Sequence, residues 1–339
     1  MKAPVLAAVL AACAGSATAA LADAPGSRLV VLPFQNMSGV DAARADLLPL
    51  VLAQLSRQGY EAVAGEVVEE VLERDRMRHL DSLTSADRGR LLGELSAAGL
   101  LSAAVYTYQE GRNPIVGLSA RLVGADGAVV WWEALGLSGN DTEGLFAFGR
   151  EASRQALLRK AVARLFRSLP RAGQPAPARP APALRVCLLP LDNFTRAREG
   201  PRVVGQLLWR RLADGQVFDV VEPADLRAAA VAERARGLTR LDPELLRRVG
   251  KRVGTTLFLY GALYAYREAS SQGAAVTPEV SVALTLVDVG EARVLRSWHQ
   301  ERTGQDYESL FQRGAVGSAT GLADRVAAEL AAAARGHAP

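Results

Sequence analysis

Histidines, cysteines and closely spaced carboxylates are the side chains that most often carry acid–base, nucleophilic or metal chemistry, and this chain of 339 residues has few of them in useful patterns. His79, His299 and His337 are its only histidines, and none has a cysteine or carboxylate at the spacing of a metal site or a catalytic triad. Gly250-Lys251 resembles the end of a phosphate-binding loop, but Arg252 stands where Ser or Thr is required and the opening glycine is missing. Glu69-Glu70 reads as the solvated face of a helix. No nucleophile elbow and no GxGxxG turn is present. These residues nominate no catalytic centre, no cofactor and no metal, so the chain reads as a binding protein and not an enzyme.

Aromatic residues offer a different chemistry, that of contact. Tyr106 and Tyr108, and again Tyr264 and Tyr266, alternate along two strand-like stretches and are expected to point the same way in each. Trp131, Trp132 and Trp298 stand near later strands, where an exposed indole could anchor a partner; adjacent Trp131 and Trp132 must face opposite sides of a strand. Trp131, Trp132, Trp298, Tyr106 and Tyr264 are therefore the candidate interface residues.

The elements that must position these groups begin behind an export signal. Met1 to Ala22 has one lysine, an apolar stretch from Val5 to Cys13 and a small-x-small ending at Ala20-Leu21-Ala22. Leu10-Ala11-Ala12-Cys13 competes with it as a lipobox, in which Cys13 would carry lipid and tether the chain to a membrane. Either route places the protein in the periplasm, soluble or attached to the periplasmic face of the outer membrane. Cys187, the other cysteine, lies in the apolar run Val186 to Leu189 and reads as a buried small hydrophobe. With no internal disulfide to form, stability must come from packing. The net charge of +4 is spread among interspersed acids, and the chain has only three lysines, so no nucleic-acid partner is expected. The densest basic run, Arg247, Arg248, Lys251 and Arg252, lies opposite the apolar stripe of a predicted helix and should point to solvent.

The chain repeats itself. Arg28 to Ser38 matches Arg185 to Thr195 position by position at an offset of 157 residues. Ala104 to Glu110 then matches Ala262 to Glu268, and Asp141 to Phe146 matches Asp306 to Phe311. Between the copies, residues 171–184 are rich in Pro and Ala and form an extended spacer. The expected domains are 28–170 and 185–335.

Each copy opens with a continuous apolar strand closed by Pro33 or Pro190, as expected of a strand buried on both faces. Asn36 with Ser38, and Asn193 with Thr195, can bond their own backbone and turn the chain into the first helix. Pro49 implies that the first copy's helix starts late or is kinked. A short strand, a second helix and a third helix capped by Thr84 or Ser85 in the first copy and by Asp242 in the second follow, then three β-rich stretches and a terminal Ala/Leu-rich helix spanning about 145–168 or 310–335. The predicted fold class is α/β (α+β): two tandem β-α-β-α-β-β-β-α domains, each a mixed sheet packed with helices.

Val31-Leu-Pro-Phe-Gln-Asn-Met-Ser-Gly39, followed by helix, strand, helix and terminal hairpin, resembles the N-terminal domain of TolB and the CsgG-like superfamily of bacterial envelope proteins. The second copy departs from it, with Leu191 in place of Phe34 and Arg196 in place of Gly39. The resemblance implies a non-enzymatic periplasmic adaptor or assembly factor that works through contacts with other envelope proteins. A CsgG-like pore is not expected, because it would need further membrane-spanning strands. The alternative is a ligand-binding or cell-wall-acting enzyme with its site between the two domains.

Overall fold

The computed structural model describes residues 28–77, 82–142, 153–174, 184–214, 217–235, 242–271, 276–308 and 315–336. The export signal with Cys13, His79, His337 and residues 175–183 of the spacer lie outside the described residues. The described part is an α+β fold of two similar sheet-and-helix units. The first comprises β1 (Arg28–Val31), β2 (Gln35–Asn36), α1 (Ala42–Arg57), β3 (Glu61–Val63), α2 (Glu66–Arg74), α3 (Ser85–Glu94), β4 (Gly99–Gln109), β5 (Ile115–Gly124), β6 (Val129–Ser138) and α4 (Arg154–Leu165). The second runs through β7 (Leu184–Leu188), β8 (Asp192–Asn193), α5 (Gly200–Ala213), β9 (Phe218–Val220), α6 (Pro223–Ala232), α7 (Pro243–Val253), β10 (Leu257–Arg267), β11 (Glu279–Asp288), β12 (Arg293–Thr303) and α8 (Ala319–Arg335).

Both sheets have six strands in the same order. β1 lies between β3 and β4 and is parallel to both, while β4, β5 and β6 form an antiparallel meander. β7 lies in the same way between β9 and β10, with β11 and β12 completing the second meander. The two apolar runs become these central strands because only there are both faces covered: Leu29, Val30, Val31 and Leu32 are all buried, as are Val186 and Cys187.

Local chemistry sets the connections. Asn36 Oδ1 accepts from the Ser38 amide at 3.1 Å, and its Nδ2 donates to the Val40 carbonyl at 2.8 Å. Asn193 does the same with Thr195 (2.9 Å) and Ala197 (3.1 Å). The two-residue strands β2 and β8 that carry these asparagines are too short to leave a periodic signal. Thr84 accepts from the Asp87 amide, and Asp242 accepts from the amides of Glu244 and Leu245, as N-caps should. The crossover into β4 is made by two helices, α2 and α3, and the one into β10 by α6 and α7.

Pro49 does not delay α1, which begins at Ala42 and runs through the proline. The ring and Ala45, whose carbonyl loses its donor, are both on the exposed side of the helix, where water can take that acceptor. Residues 171–174, expected to begin the spacer, are a turn held to the first unit, with the Ala172 amide donating to the Gln58 carbonyl at 2.9 Å.

Each sheet has helices on both faces. In the first unit, α1 and α4 cover one face with Leu47, Val51, Leu157 and Val162 against Leu118 and Leu122. α2 and α3 cover the β1 end of the other face with Val68, Val71 and Leu91. In the second unit, α5 and α8 cover one face and α6 and α7 part of the other.

Candidate functional site

What remains of the first sheet's second face, over β4 to β6, is covered by α5 and α8 of the second unit. Ala104, Tyr106 and Met37 belong to the same buried cluster as Val203, Leu207, Leu322 and Val326. Close approach is possible because two seam positions lack side chains. A Cβ on Gly117 would lie 2.3 Å from Thr320 Oγ1, and one on Gly136 would lie 2.3 Å from Ser318 Oγ and 2.4 Å from the Gly321 nitrogen. The first turn of α8 thus sits directly on the β5–β6 backbone, and Ser318 keeps its capping bond to the Gly321 amide at 3.1 Å.

Several polar groups are paired across the seam. Arg210, nearly fully buried, donates to Glu133 Oε2 at 2.7 Å, to the Trp132 carbonyl at 3.2 Å and to Asp324 Oδ1 at 3.0 Å. Asp324 is shared with Arg211. Tyr106 Oη is within hydrogen-bond distance of Gln206 Oε1 and Ser119 Oγ, both at 2.7 Å. Glu268 accepts from the Ala319 amide at 2.6 Å, the Ala269 amide at 3.0 Å and Thr107 Oγ1 at 3.1 Å. Burial outweighs these bonds and raises the Glu268 carboxyl above its usual range; it raises Asp141 too, which accepts from the Ser138 amide.

Tyr106 and Tyr264 occupy equivalent β-bulges. The register slips between Val105 and Thr107 in β4 and between Leu263 and Ala265 in β10. The bulge overturns the expectation that the paired tyrosines point the same way. Tyr106 faces the seam while Tyr108 faces α1 and bonds Asp46 at 2.6 Å. Tyr266 likewise faces α5 and α8, whereas Tyr264 stands on the opposite, uncovered face at 52% exposure.

That uncovered face is the second sheet's counterpart of the seam. Phe194, 66% exposed, stacks on Tyr264 with ring centroids 5.3 Å apart and planes 9° from parallel, and His299 meets Tyr264 edge-on at 6.1 Å. Ser281 Oγ is bonded to His299 Nε2 at 3.0 Å, and Thr285 Oγ1 to Ser297 Oγ at 3.0 Å. Through the strand registers, Ser281 and Glu301 occupy the places of Gly117 and Gly136. Their side chains prevent a helix from seating as α8 seats on the first sheet, so any occupant of this face differs from the seam's.

The remaining expected contact residues go elsewhere. Trp131 is buried in the first unit against Phe166 and donates to Ser168 Oγ at 2.9 Å, so it anchors no external partner. Trp132 faces the opposite side, as two adjacent strand residues must, and meets Trp209 at 4.6 Å within the seam. Trp298 is half-buried against the α5–α8 cluster, and Tyr106 is buried. Of the five, only Tyr264 is on the open face. Phe194, the residue that sequence reasoning missed, follows Asn193 in the turn, and its alignment with Met37, a seam residue, was the signal available.

The other groups that the sequence singled out form no second site among the described residues. Cys187 is fully buried and its thiol is pushed up to about 12 by burial, against the opposing effect of Arg185. Gly250 and Lys251 end α7, where carbonyls and not amides are free, the wrong helix end for a phosphate. They border an open groove of about 470 Å³. No cluster of His, Cys, Asp or Glu among the described residues could hold a metal ion.

Fold and surface thus define an α+β protein of two docked sheet-and-helix units with an aromatic sheet face that none of the described helices covers. No protein-family model matches the chain, and no curated protein matches it. Solved structures similar to it include the PelC dodecamer from Paraburkholderia phytofirmans (17% identity, 45% of this chain and 88% of that one, TM-score 0.30). Lipoprotein GNA1162 from Neisseria meningitidis matches at 23% identity over 42% of this chain and 99% of its own, TM-score 0.30. The C-terminal domain of LpoB from Escherichia coli matches at 15% identity over 37% of this chain and 87% of its own, TM-score 0.28. No helix among the described residues is long and apolar enough to cross a membrane.

Proposed function

We infer that the chain is a non-enzymatic adaptor or assembly factor of the bacterial cell envelope, working in the periplasm through protein contacts made by the open face of the second sheet. The observation that carries this reading is the Phe194–Tyr264–His299 cluster. It is an exposed aromatic surface at the position where the first sheet buries Tyr106 under two helices. The export signal at 1–22 and the resemblance of residues 31–39 to TolB-like and CsgG-like proteins support the compartment. In this reading residues 28–170 and 185–335 are two domains, the first held in the seam and the second presenting the contact face. Cys13, where lipidated, would tether both to the outer membrane.

The alternative of a ligand or substrate site between the units has no support in the seam. The cavity there is about 50 Å³, against the several hundred Å³ of a small-molecule site.

Site-specific photo-crosslinking tests the reading. A photoreactive residue at position 264 should trap an envelope protein in living cells, and Phe194→Ala should weaken that adduct. The same probe at Val67, an exposed apolar residue on α2, should not trap it. No adduct from 264, or equal adducts from 264 and 67, would contradict the proposal.

A further inference from the structure

The two units dock asymmetrically, and the asymmetry leaves two surfaces unmatched. From α1 and α4 through the first sheet to α5, α8 and the second sheet, helix layers and sheets alternate. The stack ends on helices at one side and on the open sheet face at the other. Within it, the sheet of one unit receives the helices of the next, a head-to-tail contact whose two sides are different surfaces.

The two ends of the stack correspond to the two sides of the seam. α5 meets the first sheet through Arg202, Gln206, Trp209 and Arg210, which contact Gln35, Tyr106, Trp132 and Glu133 in turn. At the repeat offset of 157 residues, their places on α1 are held by Ala45, Pro49, Leu52 and Ala53. These form an apolar stripe at i, i+4, i+7 and i+8, in which Ala45, Pro49 and Ala53 are exposed and Leu52 is half-buried. α4 and α8 correspond through their N-caps, Ser153 and Ser318, each accepting from the amide three residues on. Arg159 thereby takes the place of Asp324; it is exposed and has no ion pair among the described residues.

Between seam and ends, bulk moves from the helices to the sheet. On the second sheet Phe194, Ser281, His299 and Glu301 stand where the first has Met37, Gly117, Ala134 and Gly136. A helix layer stripped of its large polar side chains thus matches a sheet face that has gained large ones. Charge matches as well: Glu301 is exposed with no ion pair among the described residues, and Arg159 lies one helical turn beyond the part of α4 that corresponds to the α8 turn seated on Gly136.

We propose that α1 and α4 of a second copy of this chain cover the open face of the second sheet, so that the protein associates head to tail; this rests on the reading of that face as a contact surface. Pro49 of one copy then packs on Tyr264 of the next, as Gln206 meets Tyr106 in the seam, and Arg159 pairs with Glu301. Trp132 and Trp209 are both replaced by smaller residues, Ser297 and Leu52, so the new contact closes in at that end and is wider at the Ser281–Glu301 end. Because the two sides of the contact differ, each added copy presents a fresh open face, and growth stops only where a ring closes.

The purified exported chain should sediment above monomer mass. On oxidation, a mixture of Ala53→Cys and Ser297→Cys variants should give a mixed disulfide dimer, neither variant alone should, and the double variant should give a ladder; Cys187 is buried and does not compete. Ala53→Glu, at an exposed helix position, should leave the Tm unchanged and weaken association by about tenfold or more, since it sets an unpaired charge in the contact. Glu301→Arg should weaken association too, and Arg159→Glu in the same chain should restore it. A parent chain that stays monomeric, absence of the mixed dimer, self-dimers of Ser297→Cys, or association unaffected by Ala53→Glu would overturn a second copy as the occupant. In that event, trapping of a different envelope protein from position 264 would preserve the reading of the face as a contact surface, and no trapping at all would defeat both.

Discussion

Gly136→Ala is the sharpest test of how the two units meet. The added Cβ would lie 2.3 Å from Ser318 Oγ and 2.4 Å from the Gly321 nitrogen, where ordinary contact begins at 3.4 Å. The first turn of α8 would have to retreat by about 1 Å, which in a packed interior costs about 1–3 kcal/mol. Ser318 is also the N-cap, and displacing it forfeits about 1 kcal/mol more. Urea denaturation should therefore report a loss of about 3 kcal/mol. Gly89→Ala is the control of opposite sign, since that glycine is exposed within α3 with nothing within 4 Å of the new atom. It should stabilise the protein by about 0.5–1 kcal/mol. A Gly136→Ala variant within about 0.5 kcal/mol of the parent would refute the argument that the seam depends on backbone-to-helix contact.

Glu268→Gln should flatten the pH dependence of stability. A carboxyl raised in the folded state binds more protons there than in the unfolded chain, so stability falls as pH rises from its ordinary value of 4.5 through the folded value. Denaturation curves of parent and variant across this interval should converge at the acidic end and separate toward neutrality, with the variant more stable. Cys187 should react with a maleimide only as fast as the second unit opens, since it is buried and its thiol is held at about 12. Fast labelling in native buffer would place it outside the core. Leu330→Ala, at a fully buried position of α8, should cost about 2–5 kcal/mol by calorimetry or urea denaturation. A cost under 1 kcal/mol would show that α8 is not part of the core.

Much of the fold is written locally. The apolar runs at Leu29 and Val186, the Asn-Ser and Asn-Thr turns, and the caps at Thr84 and Asp242 can each be read from a few neighbours, because the forces that form them act within a few residues. The seam cannot be read that way. Gly117 and Gly136 look like weak points in strands until Ser318 and Thr320, about 180 to 200 residues later, are seen to occupy their missing side chains. The tyrosine pairs mislead for a related reason: alternation predicts direction only in a regular ladder, and a single bulged residue reverses it. Tyr106 and Tyr264 have the same local sequence setting and opposite surroundings, since helices of the second unit cover one and not the other. The aromatic pair Phe194–Tyr264 joins residues 70 positions apart, and only the β8–β10 pairing brings them together.

The contact proposed for the open face of the second sheet should depend on its two stacked rings. Replacing Phe194 and Tyr264 together by serine tests it most directly, because both rings are more than half exposed and add little to folding. The double variant should keep its Tm and no longer migrate with an envelope assembly on native gels of membrane extracts. An unchanged Tm with the assembly intact would contradict it.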